Sequence, residues 1–493
     1  MRLQRFATRL PGLASFLLFA VVIAATRPAS FQKPIERDTG QLLYVGHLVA
    51  HGATPYADAA LNKGPLAFLM FAVVDTVTFT KVVLVRIVLV LFAAVAAVGV
   101  ATVVGRRGGR SAGLLAGLAL ALLAAAGPLQ GDDPNTEQFG IAFLAGAWGL
   151  AALPGTLSAA GAGLAMAAGA AFNPLFAVVA PAVAIELLAS RREERVRRFV
   201  VAVAAGVALL AVLAAWLAAA GALDDMWHLV VGRGGIIRHP GGVSTIDPSL
   251  RATGLAGTLQ KWFDAPAGAL YWMGAVGAVV ALRDARLRVT AAGALTWIAL
   301  VWLRSELQSY TFPHHFYIAI PGIAAGMAVG LASVWPAAPR ARVALSALVL
   351  VMPVMAYVGG PQLRQLELRP GQRWSLETDE NWSLAYPIAQ FIDELTRPGQ
   401  RILMTGSHPE VNWLADRRAP SRYFDFFPVL VDAKARQQRL RDLEASPPAA
   451  IGVMPDSDAH SDFDTLRAYA DAHRYVIALN LSGAQVWLPR GAP

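Results

Sequence analysis

The sequence contains no cysteine and comparatively few charged residues. The absence of cysteine excludes disulfide bonds, thiolate nucleophiles and cysteine-ligated metals, although it fits both oxidising and reducing compartments. Only 15% of the 493 residues are charged, whereas soluble domains carry roughly a quarter. Because 56% of the residues are hydrophobic, the chain needs lipid to cover its apolar side chains. The composition therefore predicts an integral membrane protein.

The net charge of +9 comes largely from arginines in short loops between apolar runs. No aromatic residues alternate with these arginines, so nucleic acid is not expected as a partner. The positive-inside rule places all five clusters in the cytoplasm. The clusters are Arg2, Arg5 and Arg9; Arg106, Arg107 and Arg110; residues 191–198; Arg283, Arg286 and Arg288; and Arg340 and Arg342.

Apolar runs of about 15 to 23 residues fill most of the first 358 residues, close to the roughly 20 that a membrane-spanning helix needs. One segment, 66–80, is ambiguous because as a helix it would be roughly 22 Å long and contains Asp75. Treating it as a half-helix on the outer face keeps the second arginine cluster in the cytoplasm and gives about eleven spans. The predicted spans are 1–25, 82–104, 112–127, 138–153, 157–172, 174–190, 198–220, 266–282, 289–303, 315–335 and 341–358.

This topology leaves 28–81, 128–137, 221–265, 304–314 and the tail on the outer side. Most polar residues other than the cytoplasmic arginines fall there. This indicates a functional site on the outer side of the membrane, whereas a channel or carrier would be expected to place ionisable groups at mid-membrane depth. In the tail, strands are predicted at 401–404, 450–453, 475–479 and 485–488, and helices at 432–444 and 462–473. We therefore predict a polytopic α-helical membrane domain, 1–358, and a small α/β domain, 359–493. The predicted location is a bacterial inner membrane, with the C-terminal domain on the periplasmic side.

The first outer loop, 28–81, contains a candidate general base. Thr39 is predicted to cap a helix that continues through Leu48, which places Asp38 at its N-terminal edge. A carboxylate at that position is stabilised as an anion. Two interpretations remain open: Asp38 is only a helix cap or a partner of Arg37, or it is a general base.

The second outer loop is acidic and precedes an apolar helix. Asp132 and Asp133 suit a solvated loop, whereas lipid or protein would surround much of Glu137. Acidic loops on one side could bind a divalent cation through oxygen ligands, although no ligand spacing here is diagnostic.

Two adjacent histidines, His314 and His315, precede a later span. Side chains of adjacent residues on a helix point about 100° apart, so we do not expect both to serve one metal, and no zinc motif is complete. One of them could hydrogen-bond a phosphate or a hydroxyl. The alternative is interfacial anchoring beside Phe316 and Tyr317.

Cations also lie on the predicted outer side. Some must be plain surface charge, but a lipid-borne phosphate at the interface would need cations of this kind to neutralise it. They are Lys63, Arg86, Arg233, Arg238 and Arg304.

The first outer loop contains the motif Glu36-Arg37-Asp38-Thr39-Gly40 with Tyr44, Gly46, Gly52, Pro55-Tyr56 and Lys63-Gly64-Pro65. Further motifs follow along the chain: Asn135-Thr136-Glu137-Gln138-Phe139, Phe312-Pro313-His314-His315-Phe316-Tyr317 with Pro321, and Ser421-Arg422-Tyr423. In order and spacing, these motifs resemble the protein O-mannosyltransferase-like, family 39 glycosyltransferases of the GT-C fold, and the first-loop motif is the most specific part of the resemblance. The similarity covers most of the chain.

The resemblance implies a polyprenyl-phosphate sugar donor, inversion at the anomeric carbon, and Asp38 as the catalytic aspartate. The chain departs from the family at Thr39, where an acidic residue is usual, and at Asn173-Pro174, where relatives often have lysine before proline. The predicted substrate-binding residues are Glu137, Lys63, Arg304, His314, His315, Tyr56 and Tyr44.

The residue inventory agrees with this chemistry, because sugar transfer from a phosphate carrier needs a base for the acceptor hydroxyl and cations for the leaving phosphate. We predict transfer of a hexosyl or pentosyl group from a polyprenyl-phosphate donor lipid to a glycan, lipid or protein acceptor of the cell envelope. No cofactor is expected to be required, although a divalent cation could bind. The alternatives are a transporter or lipid flippase, which predicts intramembrane charges or internal repeats, and a non-catalytic envelope-assembly protein.

Overall fold

The computed structural model describes residues 10–125, 131, 133–190, 192–231, 266–307, 313–334, 381–406, 408–425, 428–429, 432–455 and 463–491. Helices dominate, and one small sheet lies in the tail. In chain order the α-helices are α1 (Leu10–Ala25), α2 (Arg37–Ala50), α3 (Pro65–Thr78), α4 (Val82–Gly108), α5 (Arg110–Leu123), α6 (Thr136–Ala152), α7 (Thr156–Phe172), α8 (Ala180–Leu188), α9 (Arg192–Ala219), α10 (Pro266–Ala281), α11 (Arg288–Leu307), α12 (Ile320–Ser333), α13 (Asn381–Leu395), α14 (Pro409–Leu414), α15 (Ala433–Ala445) and α16 (Phe463–Ala472). The strands are β1 (Ile402–Met404), β2 (Ala450–Val453), β3 (Tyr475–Leu481) and β4 (Ala484–Pro489).

Shorter helical pieces connect several of these elements. Three 3₁₀ helices cover Pro28–Gln32, Pro174–Val179 and Pro313–Ala319. A single α-helical turn, Leu223–Met226, leads into a π-helical turn, Trp227–Val231. The 3₁₀ helix Pro313–Ala319 runs directly into α12, so the two histidines of the sequence motif stand at the start of a longer helical segment.

By length and composition, three helices of the described chain are able to cross a membrane: Val82–Gly108, Arg192–Ala219 and His314–Ser333. Shorter apolar helices occupy most of the other predicted spans, and the predicted span 341–358 lies outside the described residues. The number of spans therefore stays a prediction. The ambiguous segment forms α3, whose 14 residues extend about 21 Å. Because α5, a predicted span, has the same number of residues, the half-helix assignment stays a prediction.

Packing contacts divide the chain into two units. The first unit comprises Met1–Phe31, Arg86–Leu213 and Leu250–Arg364. The second comprises Gln32–Val85, Ala214–Ser249 and Gln365–Pro493. Most of the predicted first outer loop, 28–81, therefore packs with the tail. The predicted domain boundary at 358 lies outside the described residues.

Glycines bring helices of the first unit into close contact. Gly326 and Gly330 are spaced four residues apart on α12 and lie against Gly274 and Gly277 of α10, whereas Gly322 lies against Trp297 and Ile298 of α11. A Cβ atom added at Gly277 would lie 2.5 Å from the Gly326 carbonyl oxygen, so only glycine allows this approach. Spacing of small residues by four is a common way for membrane helices to pack, because lipid gives them no hydrophobic drive to associate.

In the second unit, α2 packs against α3 and against α14 of the tail. Gly46 of α2 lies against the backbone of Phe71 in α3. Gly40, six residues earlier, lies against α14, where an added Cβ atom would approach the Glu410 Cβ to 2.6 Å. These two glycines of the first-loop motif are thus contact positions for two different partners of α2.

The N-terminus of α2 differs from the sequence prediction. The helix begins at Arg37, and its N-cap is Glu36, whose side chain accepts a hydrogen bond from the Thr39 backbone N–H at 3.2 Å. The predicted Thr39 cap is therefore wrong. The Thr39 hydroxyl instead donates to the same Glu36 carboxylate at 3.0 Å, so a buried carboxylate satisfies donors that the first turn would leave unpaired.

The tail forms a four-stranded sheet in the order β1-β2-β4-β3. The predicted strands and the two helices between them are confirmed, with ends shifted by two residues or fewer. β1 and β2 are parallel and are connected through α15, whereas β4 pairs antiparallel with both β2 and β3. Ser482 and Gly483 both have positive φ angles, as the two-residue turn of the β3–β4 hairpin requires.

Both faces of this sheet are covered by helices. Along β4, Ala484, Val486 and Leu488 lie in a cluster with α13 and α14, whereas Trp487 lies in a second cluster with α15 and α16. Alternating strand residues point to opposite faces, so each cluster takes every second side chain. The tail is therefore a three-layered α/β unit that presents α14 toward α2.

Candidate functional site

Asp38, the predicted general base, stands in the first turn of α2 and is half-buried. The buried Glu36 precedes it at the N-cap, where its carboxylate accepts hydrogen bonds from the backbone N–H and the hydroxyl of Thr39. The N-terminal end of a helix stabilises a negative charge. The position of Asp38 is thus compatible with a general base, and this role stays a prediction.

The predicted residues Tyr44, Tyr56 and Lys63 lie in the same unit as Asp38. The Tyr44 hydroxyl accepts a hydrogen bond from the Ala419 backbone N–H at 2.7 Å. The Tyr56 hydroxyl donates to the Lys63 carbonyl at 2.7 Å, and Tyr56 adopts a positive φ of 66°. Both rings are buried, so Tyr44 attaches α2 to the tail and Tyr56 fixes the loop between α2 and α3.

Lys63 itself is half-buried at the turn before α3. The Gly64-Pro65 step that follows it starts this helix, with Pro65 in the first turn, where no backbone N–H is needed. Within the described chain no carboxylate forms an ion pair with the Lys63 ammonium group. Its charge is therefore available to an anionic ligand.

In the first unit, Glu137, His314 and His315 converge in a buried cluster. One donor atom from each residue lies within 4.8 Å of the other two, and their exposed fractions are 1%, 6% and 8%. Glu137 stands in the first turn of α6, where the Thr136 hydroxyl donates to its carboxylate at 2.7 Å. Burial and local hydrogen bonds hold this carboxylate in place.

Both histidines reach Glu137, contrary to the prediction from their adjacency. Their rings stand perpendicular, at 89°, with centroids 4.7 Å apart. The prediction considered only the directions of the Cα–Cβ bonds, but side-chain rotation turns the two rings toward the same point. A carboxylate oxygen with two imidazole nitrogens is a donor set that suits zinc and similar divalent cations, so these three residues could hold a metal ion.

Two further predicted positions surround this buried cluster. The Asn173 amide donates to the Glu137 carboxylate at 3.5 Å and accepts from the Leu175 backbone N–H at 3.1 Å. Asn173 therefore caps the 3₁₀ helix Pro174–Val179 and contacts the cluster. Arg304 is buried and donates to the His315 carbonyl at 3.4 Å.

The sequence analysis missed a polar cluster in the second unit. The buried Asp75 accepts hydrogen bonds from His47 Nδ1 at 3.0 Å and from the Trp413 indole N–H at 2.8 Å. The opposite nitrogen of His47, Nε2, lies 3.0 Å from the Asp416 carboxylate. The aspartate inside the apolar α3 could have indicated this cluster, because a carboxylate buried among apolar residues needs a polar partner.

His47 also neighbours His51, one turn later on α2, with ring centroids 4.3 Å apart. Donor atoms of His47, His51 and Asp75 lie within 4.8 Å of one another, but both nitrogens of His47 already face carboxylates. Burial alone would lower the pKa of His47, yet the hydrogen bonds and charges of Asp75 and Asp416 raise it above its ordinary value. This cluster therefore favours an imidazolium ion over a metal ligand.

The predicted site residues thus fall into two groups that the sequence did not separate. The first unit contains Glu137, Arg304, His314 and His315. The side chains of Glu137 and of both histidines form one cluster, and Arg304 contacts the backbone of His315. Asp38, with the two tyrosines and Lys63, belongs to the second unit. Asp132 lies outside the described residues, whereas Asp133 is buried rather than solvated.

Comparison with protein-family models and with curated protein sequences finds no match. Among solved structures, the chain is similar to ArnT from Cupriavidus metallidurans bound to undecaprenyl phosphate, with a TM-score of 0.65 and 14% identity. That alignment covers 99% of this chain and 98% of ArnT. Apo ArnT gives a TM-score of 0.61 at 15% identity, covering 98% of both chains.

A second similar structure is the archaeal oligosaccharyltransferase AglB from Archaeoglobus fulgidus in complex with an inhibitory peptide and a dolichol-phosphate. Its TM-score is 0.51 at 10% identity, and the alignment covers 98% of this chain and 75% of AglB. These neighbours are GT-C fold glycosyltransferases. The chain therefore has the GT-C fold, as the sequence predicted, whereas the narrower assignment to family 39 stays a prediction.

Proposed function

We propose that the protein is a membrane glycosyltransferase that takes a sugar from a polyprenyl-phosphate carrier and transfers it to a cell-envelope acceptor. The observation that carries the proposal is the half-buried Asp38 in the first turn of α2, in a chain with the GT-C fold. ArnT, the similar structure of nearly equal extent, is bound to undecaprenyl phosphate. A lipid phosphate of this class is therefore the donor we assign to this chain.

In the proposed step, Asp38 removes the proton of an acceptor hydroxyl. The hydroxyl oxygen then bonds to the anomeric carbon of the sugar while the bond from that carbon to the phosphate oxygen breaks. Attack from the side opposite the phosphate inverts the anomeric configuration. Polyprenyl phosphate leaves with the electron pair, and the proton stays on Asp38 until solvent removes it.

The leaving phosphate gains charge as its bond breaks, so fixed cations stabilise the transition state more than the ground state. We assign this task to Lys63, which belongs to the same unit as Asp38, and Arg304 and His314 stay predicted phosphate contacts from the sequence. Lys63 has no carboxylate partner in the described chain, and Arg304 is buried, where a charge is screened less than in water. His315 and Glu137 complete the buried cluster, and a divalent cation held there would supply further electrostatic stabilisation of a phosphate.

The remaining features of the proposal concern location. The positive-inside rule places the arginine loops in the cytoplasm and both Asp38 and the tail on the outer face. Glycosyl transfer on that face of a bacterial inner membrane would use a donor lipid whose phosphate lies in the outer leaflet. Tyr44 and Tyr56 remain predicted substrate contacts, and their hydrogen bonds also connect α2 to the tail and fix the loop after α2.

The decisive experiment measures transfer of labelled sugar from polyprenyl-phosphate donors to cell-envelope acceptors in membranes that contain the protein. We expect Asp38→Asn to reduce transfer by about 1,000-fold, because amide replacement removes the base without changing its size. Asp464→Asn is the matched control, since Asp464 is an exposed aspartate in the first turn of α16. The labelled product also identifies the acceptor.

Equal transfer by wild type and Asp38→Asn would remove Asp38 from the mechanism. If neither protein transfers sugar from a broad donor panel, the glycosyltransferase proposal fails. In that case the transporter and the envelope-assembly interpretations would gain support, and uptake or flipping of labelled lipid in vesicles would separate the two.

A further inference from the structure

A large cavity in the second unit contains cations that the proposed transfer step does not use. It measures about 850 Å³, within the roughly 300 to 1,000 Å³ of typical ligand pockets. Its wall comes from the end of α2, the loop after α2, the π-helical turn, and the tail between β1 and α15. Asp38 is not among the lining residues.

Five basic side chains surround this cavity: Arg401, Arg418, Arg422, Lys434 and Arg441. Arg422 is held rigidly, because it pairs with Asp225 at 2.8 Å and also donates to the Tyr423 hydroxyl at 2.8 Å. Its guanidinium carbon lies 4.9 Å from the centre of the Tyr423 ring. Arg422 is therefore a structural part of the wall, with its charge already neutralised.

The other four cations form no ion pair with any carboxylate of the described chain. Arg401 donates to the Pro420 carbonyl at 3.1 Å, and Arg441 donates to the Gln438 side chain at 2.8 Å. Arg418 and Lys434 are exposed. Hydrogen bonds to neutral groups orient a guanidinium without cancelling its charge, so the cavity keeps a positive potential.

Three carboxylates also line the cavity and offset part of this potential, but they are outnumbered by the four cations that have no carboxylate partner in the described chain. Asp58 accepts from the Thr54 backbone N–H at 2.7 Å. Asp432 caps α15, and Asp442 accepts from the Ser421 hydroxyl at 2.7 Å. The wall thus combines free positive charge with fixed acceptor oxygens.

The positive potential also reaches the buried Tyr44 at the edge of the cavity. Burial raises the pKa of the Tyr44 hydroxyl to about 12, while the Ala419 N–H and the charges of Arg418 and Arg401 act in the opposite direction. The charges of Arg401 and Arg418 therefore both reach the Tyr44 hydroxyl, although the two arginines belong to different segments of the tail.

We propose that this cavity binds the anionic part of a saccharide acceptor, through phosphate or carboxylate groups. Naming the ligand as the acceptor rests on the proposed function. Arginine and lysine bind such anions by charge-assisted hydrogen bonds, and the fixed aspartate, serine and glutamine oxygens suit sugar hydroxyl donors. A saccharide that carries an acidic group meets both requirements, whereas a simple anion would use only the cations.

The test measures binding of fluorescent hexasaccharides to the full-length protein in detergent, without any donor lipid. The probes are a neutral maltohexaose, the same sugar with a phosphate monoester, and a hexagalacturonate that supplies carboxylates. We expect either acidic probe to bind about tenfold more tightly than the neutral probe. The difference should shrink as salt rises, because the four cations are exposed and screened.

The double variant Arg418→Gln/Arg441→Gln should weaken binding of the acidic probes about tenfold. The control Arg397→Gln/Arg474→Gln removes two exposed arginines of the same unit that do not line the cavity, and it should bind like wild type. Size-exclusion profiles and thermal unfolding establish that both variants are folded. Equal affinity for neutral and acidic probes, or equal loss in both double variants, would overturn the proposal.

The two proposals fail in different ways. If the protein transfers sugar to an acidic acceptor and Arg418→Gln/Arg441→Gln leaves the acceptor KM unchanged, the cavity proposal is wrong and the transferase proposal stands. If the acidic probes bind as expected but no donor supports transfer, the cavity is a saccharide site and the transferase proposal is wrong. Comparison of the phosphate and carboxylate probes identifies which anion the cavity prefers.

Discussion

Two polar clusters of the molecule share a composition of two histidines and one buried acid, yet their surroundings differ. In the first unit, Glu137 faces His314 and His315, all nearly inaccessible to solvent. In the second unit, Asp75 faces His47, and the second nitrogen of this imidazole faces Asp416, whose side chain is 76% exposed. In the first cluster two imidazoles surround one carboxylate, whereas in the second cluster one imidazole lies between two carboxylates.

The comparison shows that the partners, rather than the residue types, decide the chemistry of a histidine cluster. Two carboxylates stabilise an imidazolium ion, which donates from both nitrogens and cannot bind a metal. A single carboxylate with two imidazoles is a donor set that suits a divalent metal ion. We therefore assign binding chemistry to the Glu137 cluster, and attachment of the tail to α2 and α3 to the His47 cluster.

The largest expected effect comes from Glu137→Gln. We expect about 100-fold slower sugar transfer and loss of about one bound divalent cation per chain, because the amide removes the only negative donor of the cluster. Elemental analysis of purified protein and the transfer assay measure the two effects. Glu193→Gln is the control, since Glu193 is an exposed glutamate in the first turn of α9. The same metal content in wild type and Glu137→Gln would contradict the assignment.

Asp75→Asn should act on stability rather than on chemistry. Removing the buried charge that pairs with His47 and accepts from Trp413 should lower the free energy of unfolding by about 3 kcal/mol. Thermal unfolding followed by tryptophan fluorescence measures the shift, with Asp464→Asn as an exposed control. Loss of transfer at an unchanged unfolding temperature would instead assign Asp75 to the reaction.

The His47 interaction should depend on pH in a defined direction. Because the folded-state pKa of His47 is raised above its ordinary value of 6.5, its contribution is complete below that pH and is lost as pH rises through the folded-state pKa. We expect His47→Gln to cost about 1 kcal/mol under acidic conditions, with a smaller cost at high pH. The difference in unfolding temperature between wild type and His47→Gln, followed from acidic to high pH, measures this cost. His473→Gln is the control, because His473 forms a surface pair with Glu444. A gap that widens with rising pH would show that the bonds to neutral His47 matter more.

Asp416→Asn should have the smallest effect, below about 0.5 kcal/mol, because an exposed carboxylate is screened by water. Asn also tolerates the positive φ of 51° at this position, so the backbone should not change. The same unfolding assay applies. A loss as large as that of Asp75→Asn would mean that both carboxylates contribute equally, and the contrast between buried and exposed partners would be wrong.

Particular elements show how far the sequence alone reaches. Strand alternation predicted the tail sheet, and the shortness of segment 66–80 agreed with α3 of 14 residues. The start of α2 was wrong, because Glu36 and Thr39 are both capable caps and only the backbone path selects Glu36. The first-loop motif singled out Asp38, but the role of Gly40 as a contact for α14 was not predictable from the loop itself.

By itself, the sequence determined the elements whose signals are local: apolar runs long enough for membrane helices, alternating strands, and an aspartate beside a helix start. These signals are local because side-chain periods of 3.6 and 2 repeat within a few residues. Only the tertiary structure decided the distant partnerships, such as Asp75 with Trp413, 338 residues later, the convergence of both histidines on Glu137, and the cationic cavity. Such contacts depend on the path of the whole chain, which no local pattern records.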